Sequence, residues 1–98
     1  MQVIPVQAVS AQTFATVLLG QQVEVTLQQK TTGLFADVAL AGQMVLRGRL
    51  CRNGAPILRN GVGGFVGDLV FLDMTGSDDP QAEGLGGRFK LMYVGPAE

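Results

Sequence analysis

Residues 64–73 set a period that the rest of the chain has to accommodate. Side chains alternate across a β-strand, so Phe65, Leu69 and Phe71, with Gly67 among them, fall on one face. Val66, Asp68, Val70 and Leu72 fall on the other. Both sets are mostly apolar, which predicts a central strand covered on both sides. Asp68 is the exception, because a charge among apolar neighbours needs a partner to offset its lost hydration. Turn-rich sequence bounds the run at both ends, and shorter strands are expected around it.

Taken in order, residues 2–8 alternate weakly around Pro5, which suits an edge strand because proline cannot donate to a ladder. Residues 12–19 put Thr13, Ala15, Val17 and Leu19 on one side, opposite Phe14, Thr16 and Leu18. Gly20 and Gln21 read as a tight turn. Residues 22–29 then alternate cleanly, with Val23, Val25 and Leu27 inward and Gln22, Glu24, Thr26 and Gln28 outward. The two runs predict a hairpin with one wet face. After a turn at residues 30–33, residues 34–41 would also make a helical stripe through Leu34, Phe35, Val38 and Ala39. The brackets at Gly33 and Gly42, only about eight residues apart, favour a strand. Residues 43–52 read as the next strand. Asn53-Gly54 and Asn60-Gly61 are hairpin signals, because a type I′ turn needs positive φ at both central residues. Between them residues 55–59 read as a short edge strand marked by Pro56. A polar loop over 74–87 precedes a last strand, 88–94, with Phe89, Leu91 and Tyr93 on one face. Seven or eight short strands predict an all-β fold, a small antiparallel β-barrel or sandwich, in one domain spanning residues 1–98.

Composition sharpens this. A chain of 98 residues has room for one domain and a small core. Such a domain has much surface per residue, yet only 15% of the chain is charged, against about 25% in an average globular protein. Surface covered by other subunits is the simplest explanation; a well-packed monomer with a few exposed valines is the alternative. The net charge of −1 gives no basic field for nucleic acid. Residues 1–23 carry no charged side chain, but Gln2, Pro5, Gln7 and Ser10 break up any signal-peptide core, and no run is long enough for a membrane helix. A soluble protein made in the cytoplasm, with no membrane or nucleic-acid partner, is expected.

Catalytic and metal chemistry finds few residues to use. Histidine is absent, which removes His-based general bases, Ser-His triads and His-ligated metals. The single cysteine, Cys51, allows no internal disulfide and no thiolate metal site; between a filler and a thiol activated by Arg49 and Arg52, the filler is favoured. Asp73-Met74-Thr75-Gly76 is near the Asp-Thr-Gly of aspartic proteases, but Met74 breaks the spacing that holds two carboxylates together. Asp73, Thr75, Ser77 and Asp79 alternate like calcium-loop ligands, yet Asp78 and Gly84 stand where that loop needs glycine and glutamate. The glycines of 61–64 lack the lysine of a phosphate loop. No enzyme activity, cofactor or metal is expected. One charge pattern remains. Arg47, Arg49, Arg52 and Arg59 form an all-positive block, and Asp68, Asp73, Asp78, Asp79 and Glu83 an all-negative one. The blocks either neutralise each other within the fold or favour head-to-tail contact between copies.

Gly64-Phe65-Val66-Gly67-Asp68-Leu69, followed by Phe71, Asp73, Asp79-Pro80, Gly84-Leu85-Gly86, Arg88-Phe89, Leu91 and Tyr93, resembles the C-terminal half of phage baseplate plug proteins. Residues 4–9, Gln12-Thr13, Thr32-Gly33-Leu34 and Gly48-Arg49-Leu50-Cys51 look like the same family, so the likeness covers nearly the whole chain. Phe89 stands where tryptophan occurs about as often. The resemblance implies a structural component of a contractile tail, plugging or bridging the central hub and tube. It would be assembled in the host cytoplasm and carried in the virion. Hub, tail-tube, spike or wedge proteins are the implied partners, with self-association in a trimeric or hexameric ring. The runner-up is a small barrel that binds a peptide or single-stranded nucleic acid. Structural or interface roles are expected for Phe65, Gly67, Asp68, Asp73, Asp79, Pro80, Gly84, Leu85, Gly86, Arg88 and Phe89. Asp68 is expected to pair with Arg88, Gly67 to allow a bulge or the approach of a neighbouring chain, and the 73–87 loop to meet a partner.

Overall fold

A computed structural model describes residues 2–59 and 62–96. Among the described residues seven strands make up the fold: β1 (Gln2–Ile4), β2 (Ala11–Leu18), β3 (Gln21–Lys30), β4 (Gly33–Leu40), β5 (Gln43–Leu50), β6 (Asp68–Asp73) and β7 (Phe89–Val94). They form two antiparallel sheets, one ordered β2-β3-β4-β5 and the other β1-β7-β6. The two sheets share one core, so of the barrel and the sandwich it is the sandwich arrangement that forms.

The four-stranded sheet follows from its period and its turns. Val23, Val25 and Leu27 of β3 are buried, as are Leu34, Ala36 and Val38 of β4. The β2–β3 turn is Leu19-Gly20, with φ of 51° and 77°, and the β4–β5 turn is Ala41-Gly42, with 51° and 83°. Positive φ at both positions is the type I′ geometry that suits the twist of a hairpin. Residues 34–41 are thus strand as expected, and the hairpin of β2 and β3 forms one residue earlier than its glycine suggested.

The second sheet departs from expectation. Its central strand is β7, whose Phe89, Leu91 and Tyr93 are buried, while β6 lies at one side. The run 64–73 is therefore not a single central strand. Residues 62–64 form a short 3-10 turn, and Gly67 at φ 91° interrupts the extended backbone, so the strand begins at Asp68. The outer parity of β6 is half-buried, and residues 53–57 cross beside the strand. Gly54 N–H donates to Phe71 O and Ile57 N–H to Leu69 O, each at 2.8 Å. Asn53-Gly54 is accordingly a crossover between the sheets rather than a hairpin. Residues 55–59 make only isolated bridges, with Pro56 opposite Val70. The Asn60-Gly61 turn lies outside the described residues. At the start of the chain the strand stops at Ile4, before Pro5.

Candidate functional site

The β6–β7 connection is built around one carboxylate. Asp73 closes β6 and Phe89 opens β7, and the two are register partners, which brings Arg88 beside Asp73. Arg88 Nε donates to Asp73 Oδ1 at 2.9 Å and Nη2 to Oδ2 at 2.8 Å. This is the fork geometry that suits a guanidinium to a carboxylate. Thr75 N–H donates to Oδ1 at 3.0 Å and Asp78 N–H to Oδ2 at 2.9 Å, so the carboxylate also shapes the turn that follows it. Arg88 reaches Asp78 as well, at 2.6 Å. The side chain of Asp73 has 0% of its surface exposed, that of Arg88 41%.

Buried side chains hold the loop from beneath. Pro80, Ala82 and Leu85 enter the core. Gln29 Oε1 accepts the N–H of Ala82 at 2.8 Å. Asn53 links the crossover to both ends of the acidic segment: its N–H donates to Asp79 Oδ1 at 3.0 Å, and its Oδ1 accepts the N–H of Asp73 at 2.9 Å. A Cβ on Gly84 would lie 2.7 Å from the Phe89 ring, and one on Gly86 would strike Val6 O, so these glycines let the loop lie flat on its own domain. Met74, Asp78 and Glu83 remain exposed on its outer rim.

Asp68 does not pair with Arg88. Its carboxylate accepts the N–H groups of Leu58 at 2.8 Å and Arg59 at 2.9 Å, together with Leu69 N–H at 2.7 Å. Backbone donors from the crossover thus satisfy the charge that the alternation singled out. Gly67 approaches its own chain: Tyr93 packs against it and donates its hydroxyl to Val66 O. Gln21 grips the same peptide from the other side, its Oε1 accepting Val66 N–H at 2.8 Å and its Nε2 donating to Val66 O at 3.1 Å. Phe65 is buried, edge-on to Tyr93 with ring centroids 5.8 Å apart. Sequence reasoning makes Gln21 and Asn53 turn residues and gives Gln29 no role. Their amides join segments distant in the chain, and for the two glutamines only the polar-neutral character of the hairpin hinted at it.

The arrangement fixes a surface and shows little chemistry. The Asp73 carboxylate is held by Arg88 and by backbone donors, so it is not placed to share a proton with a second carboxylate. Among the described residues no group of three acidic or cysteine side chains could hold a metal ion. Burial pushes the Cys51 thiol up to about 12, which is the behaviour of a filler and not of a nucleophile. Phe65, Phe71, Phe89 and Tyr93 are buried, and Lys30 sits 5.1 Å above the half-buried Phe35 ring. A stacking platform for single-stranded nucleic acid needs exposed aromatic faces, and these rings are taken.

The sequence matches the family described as the cyanophage baseplate Pam3 plug gp18 over residues 1–96. The chain belongs to this family. No curated protein matches it. As a baseplate plug it is a structural protein of the phage tail, in agreement with its all-β frame. Among the described residues the ion pairs are those of Arg88 with Asp73 and Asp78, and the four arginines of the positive block form none.

The guanidinium of Arg88 holds the Asp73 carboxyl below its ordinary value of 3.8, against the opposing effect of burial and with help from the Thr75 and Asp78 amides. A group depressed in the folded state stabilises the fold above its unfolded pKa, and that contribution is lost as the pH falls through the folded value. The plug should therefore lose stability as the pH drops below about 4. Asp73→Asn is expected to melt lower at pH 7 and to show a shallower fall between pH 4 and 2. Parallel melting curves for the two proteins over that range would remove Asp73 from this role.

Proposed function

We propose that the plug closes or bridges the central hub and tube of a contractile-tail baseplate purely through protein–protein contacts. Hub, tail-tube, spike or wedge proteins are its neighbours, and copies of the plug stand around the tail axis as a trimer or hexamer. Assembly takes place in the host cytoplasm, and the protein stays in the virion. The observation that carries this reading is the 74–88 loop. Its underside is tied down by Pro80, Leu85 and the Asp73–Arg88 fork, and its outer rim offers Met74, which is 59% exposed, along with the exposed Asp78 and Glu83. A rigid frame presenting a fixed loop is what a static contact needs, since little conformational entropy is then lost on docking. Arg47, Arg52 and Arg59, exposed and without ion pairs among the described residues, give a second, basic contact region for acidic neighbours.

The test is a reconstruction of intact tails purified from the phage or prophage that encodes the chain, with peptide mass spectrometry on the same sample. Density for the sandwich at the baseplate centre, with the 74–88 loop against another protein, is the expected result. Tails that contain no plug, or a plug whose loop faces open solvent, would sink the reading.

A further inference from the structure

The edges of a β-sheet are rows of unpaired N–H and C=O groups, and folded proteins shorten, bend, charge or cover them. Two sheets have four edges, and among the described residues three of the plug's are managed in this way. β1 is three residues long and ends before Pro5. β6 is covered by residues 53–57. β5 slips register twice against β4, carries Arg47, and has Gly63 lying against Val45. β2 has none of these devices. Its eight residues keep one unbroken register with β3 and include no charge and no proline. Gln29 N–H donates to Ser10 O at 2.7 Å, one step beyond the strand. Bonds alternate along an antiparallel pair, so the even-numbered residues of β2 bond to β3. Ala11, Thr13, Ala15 and Val17 turn their N–H and C=O outward.

We infer that the β2 edge receives an extended strand of a different baseplate protein, which joins the four-stranded sheet beside β2. An extended backbone is the ligand whose donors and acceptors repeat at the spacing of that edge. β2 itself offers the guest strand no charge to pair with, and an acidic side chain, Glu24 of β3, lies opposite Ala15 beside the contact. The guest's alternate side chains are small or apolar, with room for a basic one beside Glu24. On one side they meet a groove of about 350 Å³ between β2 and the segment after β1, lined by Pro5, Val6, Val9 and Phe14. On the other they lie over Ala15 and Val17, beside a groove of about 380 Å³ that reaches Ala39. A second copy of the plug is the competing guest. With its other edges closed, it has only its own β2 to offer, which makes a two-fold pair. The ring proposed above sets copies of the plug around one rotation axis, and a two-fold pair of this kind has no place in such a ring. The inference rests on the baseplate reading, and its test separates the two.

Hydrogen exchange of the segment 11–18 is compared between isolated plug and plug in intact tails. Exchange at the outward amides is expected to slow by roughly tenfold or more in tails. Ala15→Pro removes one outward N–H and no bond to β3. It is expected to melt near the wild type and to be lost from tails. Should that variant not fold, Thr13→Lys with Ala15→Lys charges the edge without touching the ladder, and the same loss is expected. A plug present in tails with unchanged exchange overturns the edge proposal and leaves the baseplate reading standing. Tails without plug overturn both. Protection already present in isolated plug, and lost on dilution, identifies the guest as a second copy and overturns the proposal.

Discussion

Gly67→Ala is expected to destabilise the domain by about 3 kcal/mol and to lower its melting temperature by roughly 12–20 °C. Two effects add. The backbone at Gly67 has φ of 91°, where any side chain is strained. A Cβ there would also lie 2.5 Å from Val94 O and 2.7 Å from the Tyr93 hydroxyl. Tyr93 cannot swing away without giving up its bond to Val66 and its edge contact with Phe65. The lower entropy of the unfolded alanine chain offsets less than about 1 kcal/mol of this. Adding Tyr93→Phe should recover only part of the loss, because Val94 O is backbone and stays where it is. Thermal melts followed by circular dichroism measure both effects. A single variant that melts within a few degrees of wild type would show that the turn at Gly67 relaxes freely.

That turn also marks where the fold stops being readable from alternation. Period-two patterning located β3 and β7 and the faces they bury, because those strands have hydrogen-bonded neighbours on both sides and one dominant core-facing parity; β4 is legible from its flanking glycines and its length, since its apolar residues also fit a helical stripe. It overextended β6, where both parities are apolar for different reasons. Leu69 and Phe71 face the core, whereas Val70 and Leu72 are half-buried on the other face, with Pro56 of the crossover bridged to Val70. Periodicity records that a side chain is covered and carries nothing about what covers it. The same limit explains the Asn53-Gly54 crossover. Positive φ at Gly54 was legible, but the choice between returning along β5 and leaving for the other sheet was made by Asn53 bonding to Asp73 and Asp79.

Charged residues show the limit from another side. Asp68 needed a partner, and the partners are peptide N–H groups, which every residue but proline possesses and no sequence pattern advertises. The Asp73–Arg88 fork was within reach of sequence, since the β6–β7 register places residue 73 opposite 89. Pairing Leu69 with Tyr93 on parity alone would have set that register. Family likeness pointed to the residues of the loop without their connections, and the connections decide which of them face outward. Phe65, Pro80, Leu85 and Phe89 are buried in the plug's own core, while Asp79 and Arg88 stay at the surface.

Phe71→Ala is expected to have the largest effect of any single change in the plug, about 4 kcal/mol. Phe71 is 1% exposed and is among the largest fully buried side chains. It lies opposite Leu91 in β7, and its carbonyl accepts Gly54 N–H from the crossover. Truncation leaves a cavity in the core where the sheet and the crossover meet, and a rigid sandwich collapses into it only in part. A domain of this size has about 5–15 kcal/mol in total, so the variant retains a narrow margin. Urea unfolding should show a lower midpoint with an unchanged slope, because the unfolded surface is nearly the same. An unaltered midpoint would mean that the core repacks around the gap. Phe71→Ala should also be depleted from tails, and here the comparison with Ala15→Pro has force. Depletion of Phe71→Ala follows from lost stability and should be relieved by assembly at lower temperature. Depletion of Ala15→Pro follows from a missing N–H at the edge and should persist at every temperature where the plug is folded.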